Sequence, residues 1–172
     1  GGFVIASWDI SKRICLAKKV LSSAPLSVHV VGSIAYFGLE DGMVEVWQQG
    51  TTSGRTLAVH PASVLALGGD TTRLLAGCES GRVRLWKRAE KGTETTVWEK
   101  RIHSGPITGV ALLGNRVLTA AFDGSLGITN SENGAQIFGF PLSFGSLHGI
   151  VAHPTEVAVF ATTQTGDVAL VH

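Results

Sequence analysis

The sequence predicts an all-β fold built from repeated antiparallel hairpins. Three observations support this class: a glycine recurs at spacings of 39, 43 and 42 residues, apolar runs flank each glycine, and no stretch has the apolar spacing of an amphipathic helix. The glycine follows a small or acidic residue in each pair: Asp41-Gly42, Ser80-Gly81, Asp123-Gly124 and Thr165-Gly166. A repeat of this length indicates a chain assembled from similar structural units.

Each recurring glycine marks the turn of a predicted hairpin. In "GRVRLW", which begins at Gly81, Val83 and Leu85 point one way and the two arginines the other. This period of two is typical of a half-buried strand. A second apolar run, "RLLAGCE", precedes the same turn. Glycine suits the turn because it adopts a positive φ without steric cost.

Two further strands complete each unit. A short apolar strand precedes each hairpin, at 26–31, 63–69, 107–114 and 147–152. The first three hairpins are also followed by one, at 55–60, 95–100 and 136–140. At the front, "FVIASWDI" and "RICLAKKV" have the pattern of the last two strands of an earlier unit. We therefore predict third strands at 3–9, 43–48, 82–88, 125–130 and 167–171.

Four antiparallel strands about every 40 residues describe a β-propeller blade. Over its whole length the chain resembles the WD-repeat β-propeller family. Trp8-Asp9 is its one literal Trp-Asp dipeptide, and Trp47 and Trp86 each stand five residues after a turn glycine. Thr129 and Val171 take that place in the next two units.

The family's opening pattern, a histidine followed by apolar residues four and seven positions later, occurs twice. His60 precedes Val64 and Leu67, and His103 precedes Ile107 and Val110. Ser22 and Ser143 stand in place of the histidine in the other two units.

The resemblance also implies a structural network of His, Ser or Thr, Asp and Trp within the blades. Its members here are His103, Thr119 and Asp123 in the third full unit, His60 and Trp86 in the second, and Asp41 and Trp47 in the first. No unit has all four residue types. In the third unit we expect a buried chain of hydrogen bonds from His103 to Thr119 and Asp123.

The predicted architecture is a WD-repeat-like β-propeller arc of about four to five four-stranded blades, part of a seven-bladed ring as the resemblance implies. We expect one partial propeller over 1–172, with units at 1–21, 22–60, 61–101, 102–142 and 143–172. If the two opening strands completed the closing unit, that unit would contain two third strands, one at 3–9 and one at 167–171. We therefore expect an open arc, with the remainder of the ring supplied by missing segments or another chain.

Composition narrows the range of partners. Charged residues make up 16% of the chain, against roughly 25% in an average soluble domain, and the net charge is +1. Nucleic-acid binding is therefore not indicated by the overall charge. The densest basic cluster is Lys12, Arg13, Lys18 and Lys19. We interpret it as solvated residues at a strand and a turn, with a phosphate or acidic-partner site as the alternative.

Cysteine content and hydropathy give two weaker indications. Cys15 and Cys78 lie in apolar runs and form no disulfide framework, which favours a reducing compartment. No run of about 18 apolar residues exists, so the sequence predicts no membrane span.

The sequence offers no catalytic site, so we predict no enzyme activity, no metal site and no cofactor. His60 and His103 recur at equivalent points of the repeat, which favours structural roles. His153 lies in a predicted turn, and His29 would face a neighbouring blade or the central channel. A nucleophile with a partnered base cannot be assembled.

The function that the resemblance implies is a protein-interaction scaffold in a larger multiprotein assembly, intracellular and either cytoplasmic or nuclear. Candidate partner-binding residues in the loops are Phe122, Phe144, Glu40, Glu79 and Gln164. An exposed phenylalanine at a loop tip can anchor a partner, although both rings can equally tuck under their loops. The alternatives are a propeller that binds nucleic acid or anionic lipid through a local basic patch, and a propeller enzyme with an unrecognised site.

Overall fold

The computed structural model describes residues 2–51, 53–89, 93–143, 145–153, 159–163 and 165–171. Within these ranges the chain forms only β-strands and turns, arranged in five antiparallel sheets that follow one another along the chain. Sheet 1 pairs β1 (Phe3–Asp9) with β2 (Ile14–Leu21). The all-β class is confirmed.

Three four-stranded sheets follow, each with its strands paired in chain order. Sheet 2 contains β3 (Pro25–Val31), β4 (Ile34–Leu39), β5 (Met43–Gln48) and β6 (Gly54–Val59). Sheet 3 contains β7 (Val64–Gly69), β8 (Arg73–Cys78), β9 (Arg82–Arg88) and β10 (Glu94–Arg101). Sheet 4 contains β11 (Ile107–Leu113), β12 (Arg116–Ala121), β13 (Ser125–Asn130) and β14 (Gln136–Pro141). Sheet 5 contains β15 (Leu147–Ala152), β16 (Val159–Thr163) and β17 (Val168–Val171).

The predicted third strands are confirmed. Strands β1, β5, β9 and β13 have the expected bounds, and β17 begins one residue later than expected. The turn glycines before the last four have φ between 78° and 88°, a left-handed conformation that favours glycine. The open arc, with the remainder of the ring supplied by missing segments or another chain, stays a prediction.

Neighbouring sheets pack through their innermost strands: β3 on β7, β7 on β11, and β11 on β15. One buried cluster joins sheets 2 and 3 and includes Tyr36, Val64 and Trp86. Side-chain hydroxyls add hydrogen bonds across the same seams. Ser27 donates to the Val64 carbonyl at 3.0 Å, and Thr108 donates to the Leu147 carbonyl at 2.7 Å.

Lys19 corrects the expectation that the whole basic cluster is solvated. Its ammonium group forms an ion pair with Glu45 of sheet 2, and both side chains are largely buried. Ser22 donates a further hydrogen bond to Glu45 at 3.3 Å. Burial of a charge is tolerated when an opposite charge and hydrogen bonds satisfy it. Lys19 therefore joins sheet 1 to sheet 2.

The side chain of His103 is the centre of a hydrogen-bonded network in sheet 4. Its Nε2 lies 2.6 Å from Thr119 Oγ1, and its Nδ1 lies 2.9 Å from Ser125 Oγ. The Ser125 hydroxyl donates to Asp123 Oδ1 at 2.6 Å. Because a carboxylate only accepts, Ser125 Oγ must accept from the Nδ1–H of His103. The network brings His103, Thr119 and Asp123 together through Ser125, which the sequence analysis missed.

Asp123 fastens the loop before β11 to the turn before β13. Its Oδ2 accepts from the amide and hydroxyl of Ser104, at 3.1 and 3.0 Å. Burial alone would raise the pKa of Asp123. Hydrogen bonds from Ser125 and Ser104 outweigh that effect and lower the pKa to about 2. The carboxylate is therefore charged at neutral pH and holds both segments.

His60 occupies the equivalent position of sheet 3 without a comparable network. The side chain is buried and lies edge-on to Trp86 at 5.8 Å, but neither ring nitrogen has a hydrogen-bond partner among the described residues. Ala76 and Ser80 stand where sheet 4 has Thr119 and Asp123. Burial, reinforced by Arg84, lowers the pKa of His60 to about 4.

The remaining two network residues, in sheet 2, make separate local contacts. Asp41 accepts from the Met43 amide at 3.0 Å within its own turn. Trp47 donates from its indole nitrogen to the Thr51 carbonyl at 2.7 Å and packs against Phe37. The structure therefore pairs His60 with Trp86, but it does not bring Asp41 and Trp47 to a common network.

Replacing Asp123 by Ala is expected to destabilise the fold by about 1–3 kcal/mol, because it leaves several donors near Ser104 and Ser125 without an acceptor. Equilibrium urea unfolding measures the change in free energy. The matched control is Asp41→Ala, which removes the equivalent carboxylate with its single turn hydrogen bond, and should cost less. Equal losses for the two variants would contradict the stabilising role of the network.

The free energy of unfolding is expected to decrease as the pH falls from 6.5 to 4, because His60 binds a proton more readily in the unfolded state. The unfolded state binds a proton at His60 more tightly than the folded state, so acid favours unfolding by up to about 3 kcal/mol from this group. The variant His60→Phe should remove this part of the pH dependence, as measured by urea unfolding at several pH values. A wild-type slope in His60→Phe would refute the assignment.

Candidate interaction site

The turns before the third strands and the loops before the first strands lie at the same end of the sheets. We call this end the turn face, defined by the turns at 40–42, 79–81 and 122–124 and the loops at 22–24, 60–63 and 102–106. The same backbone hydrogen bond joins turn to loop three times: Glu40 to Ala24, Glu79 to Ser63, and Phe122 to Pro106, at 2.8–2.9 Å. The turn face is therefore fixed by its own backbone.

The residues that follow the second strands occupy equivalent positions on this face. Glu40, Glu79 and Phe122 are all exposed there. Glu79 accepts a hydrogen bond from Ser63 at 3.2 Å. Phe144 and Gln164, the other two candidate partner-binding residues, lie outside the described residues. Three of the five candidates are thus placed on one surface.

Phe122 lies at the seam between sheets 4 and 5. Its side chain is 47% exposed. The ring is edge-on to the imidazole of His148, with centroids 6.0 Å apart and planes at 69°. The ring is therefore neither tucked under its loop nor fully free. His148, on β15, was not singled out from the sequence, because its contact with Phe122 joins two different sheets.

Acidic side chains recur in the turns of the turn face. Glu40, Asp41, Glu79 and Asp123 all lie in its turns. Arg101 is the last residue of β10. Its guanidinium group donates hydrogen bonds to the carbonyls of His103 and Ser104 in the following loop, at 3.2 and 3.3 Å. A surface with this chemistry can receive an apolar side chain beside a cation. The Phe122 ring supplies apolar area, and the carboxylates supply charge.

The groups near the turn face are engaged in structure. Both ring nitrogens of His103 hold hydrogen bonds, so this imidazole is not poised to accept a proton from a nucleophile.

Among the described residues no group of three His, Cys, Asp or Glu side chains could hold a metal ion. Cys15 and Cys78 are free thiols. A search of the described residues finds no helix with the length and hydropathy needed to cross a membrane.

Comparison with known proteins gives one sequence relative and many structural neighbours. No protein-family model matches the chain. The ribosome biogenesis protein YTM1 of Eremothecium gossypii is 29% identical over 112 residues, an alignment covering 56% of this chain and 24% of that protein. The chain therefore spans about a quarter of the length of this relative.

Solved structures resemble the chain over most of its length. The computationally designed protein Ika4 superposes with a TM-score of 0.77 at 22% identity, covering 88% of this chain and 92% of that chain. A chain of the mitotic checkpoint complex gives 0.80 at 19% identity, over 97% of this chain and 56% of that chain. The WD40 repeats of RRP9 give 0.74 at 15% identity, over 87% and 48%. The repeated hairpins, the four-stranded sheets and these superpositions show that the chain has the fold of the WD-repeat β-propellers.

Proposed function

We propose that this chain is a non-catalytic protein-interaction scaffold of a multiprotein assembly, and that it binds a partner through the turn face around Phe122 and His148. The observation that carries the proposal is the half-exposed Phe122 ring on a turn that is hydrogen-bonded to the neighbouring loop. Because the sheets fix both ends of the turn, little conformational entropy is lost when a partner binds.

The partner segment that fits this surface combines an apolar side chain with a nearby lysine or arginine. The apolar group would pack against Phe122 and the exposed edge of His148. The cation would lie near the exposed Glu79, or near Asp123, whose side chain is 20% exposed and already accepts hydrogen bonds from Ser104 and Ser125. Aromatic anchors in a pocket rimmed by polar groups dominate the energetics of many protein interfaces.

The comparisons support a role in assembly. The sequence relative is named for ribosome biogenesis, and one structural neighbour comes from the mitotic checkpoint complex. An intracellular location, in the cytoplasm or nucleus, would agree with such a role. The engagement of His103 in structure supports a binding function over catalysis.

Affinity purification followed by quantitative mass spectrometry tests the proposal. We expect Phe122→Ala to reduce recovery of the main partners by about tenfold or more, because an anchor side chain is truncated. The thermal midpoint should stay close to wild type, since the ring is only half-buried.

Phe138→Ala is the matched control, because Phe138 is a similarly exposed phenylalanine on the outer strand β14, 58% accessible. It should retain the same partners. Loss of partners in Phe138→Ala with full retention in Phe122→Ala would show that binding uses a different surface.

A further inference from the structure

The hairpin of sheet 1 combines the most exposed apolar side chain of the described residues with unpaired cations. Ile10, at its turn, is 88% exposed. Ile14, directly after the turn, is 49% exposed. The corresponding turns of sheets 2 and 4 contain polar residues, in "QQGTTS" and "SENGA". The apolar tip therefore distinguishes this hairpin from the corresponding turns of sheets 2 and 4.

Two cations, Lys12 and Arg13, lie in the turn, and Lys18 lies farther along β2, opposite Ala6 of β1. Lys12 lies 3.6 Å from Asp9 in an exposed ion pair. Arg13 and Lys18 form no ion pair with any described residue. The carboxylate of Asp9 is already used within the turn, where it accepts from the Ser11 hydroxyl at 2.6 Å and the Lys12 amide at 3.0 Å. The hairpin 8–18 thus carries one acid and three cations, although the whole chain is only +1.

The backbone at Arg13 adopts a conformation that is strained for a residue with a side chain. Its φ is 56°, and it is the single non-glycine residue with positive φ in the described part of the chain. Glycine or asparagine would adopt this conformation with less strain. Strained backbone positions of this kind cluster at functional sites.

The two ends of the sheets differ in charge. Glu40, Asp41, Glu79 and Asp123 lie on the turn face, and Arg82, Lys100 and Arg101 lie at the same end of sheet 3. By contrast, β1 runs away from that face and ends at Asp9, beside the tip. The exposed cations at the tip end of the other sheets are Arg55, Lys87 and Arg116, at the start of β6, the end of β9 and the start of β12. Of the acids at that end, Asp70 is paired with Arg73, Glu94 is paired with Arg55, and Glu132 is exposed. The tip therefore projects from the more basic end.

We propose that this hairpin is a contact site for an anionic lipid surface, with Ile10 entering the interface and Arg13 and Lys12 binding the headgroups. Aliphatic side chains gain free energy when they enter the acyl boundary, and tryptophan is favoured at the headgroup level. Nucleic acid fits the site less well, since Ile10 and Ile14 offer bases no stacking surface. A rigid protein fits less well because one convex tip buries little area, whereas a fluid bilayer deforms around it.

Vesicle sedimentation with the full chain tests the proposal. The probes are phosphatidylcholine vesicles and vesicles with 30% phosphatidylserine, a composition of the order that makes a cytoplasmic leaflet anionic. We expect binding to the anionic vesicles, weaker at high salt, and little binding to the neutral ones. Ile10→Asp should abolish binding. Ile137→Asp, at an exposed isoleucine on β14, should not change it.

Arg13→Gly separates stability from binding. Relief of the positive φ should raise the thermal midpoint, while removal of the cation should weaken anionic-vesicle binding about fivefold. Lys100→Gln, at an exposed lysine of β10, is the charge control and should bind like wild type. If Arg13 has only a structural role, Arg13→Gly should leave the binding to anionic vesicles unchanged.

Tryptophan fluorescence supplies a second readout. Trp8 is exposed, whereas Trp47, Trp86 and Trp98 are buried. Anionic vesicles should therefore shift the emission to shorter wavelength in wild type but not in Trp8→Phe. Equal sedimentation with both vesicle types, or wild-type binding by Ile10→Asp, would overturn the proposal. So would tight binding to poly(U) that Ile10→Asp leaves intact, since this would identify a nucleic-acid site.

Discussion

The close approach of a glycine turn to the loop that leaves the same sheet is the constraint on which the turn face depends. A Cβ atom at Gly42 would collide with the carbonyl oxygen of His60, and one at Gly81 with that of His103. The turn glycine therefore serves two purposes, a positive φ and the space for another backbone. The carbonyls of the same glycines accept hydrogen bonds from the His60 and His103 amides, at 2.7 and 3.2 Å. Because the contact is between backbones, it can recur although the side chains of the units differ.

Side-chain chemistry diverges at one position of the third strand, three residues after the turn glycine. Glu45 there forms an ion pair with Lys19, and Arg84 forms one with Glu99 and lies over the Trp86 ring. In sheet 4 the position is Gly127. A Cβ atom there would lie 2.6 Å from Thr119 Oγ1 and 3.1 Å from His103 Nε2. Sheet 4, which contains the histidine network, therefore has no side chain at this position. Sheets 2 and 3 have a charged side chain there, and each is held in an ion pair.

Local pattern explains why the strands were predictable and several contacts were not. The turn glycines and the period-two runs locate β5, β9 and β13, because both signals act within about ten residues. Ser125 was missed because the corresponding residues, Met43 and Arg82, give no hint of a hydroxyl bridge. Lys19 was misread because its partner Glu45 lies in another sheet, and His148 was overlooked for the same reason. The exposure of Phe122 depends on how two sheets meet, and strand patterns do not encode that geometry.

The seam hydrogen bonds of Ser27 and Thr108 join β3 to β7 and β11 to β15. Extensive packing likewise runs between sheets that are adjacent in sequence. Energetic coupling of this nearest-neighbour kind is characteristic of repeat proteins. A duplicated or exchanged unit has to match only two seams to be accommodated. Such a chain can therefore diversify its loops, or change its number of units, during evolution without redesign of a central core.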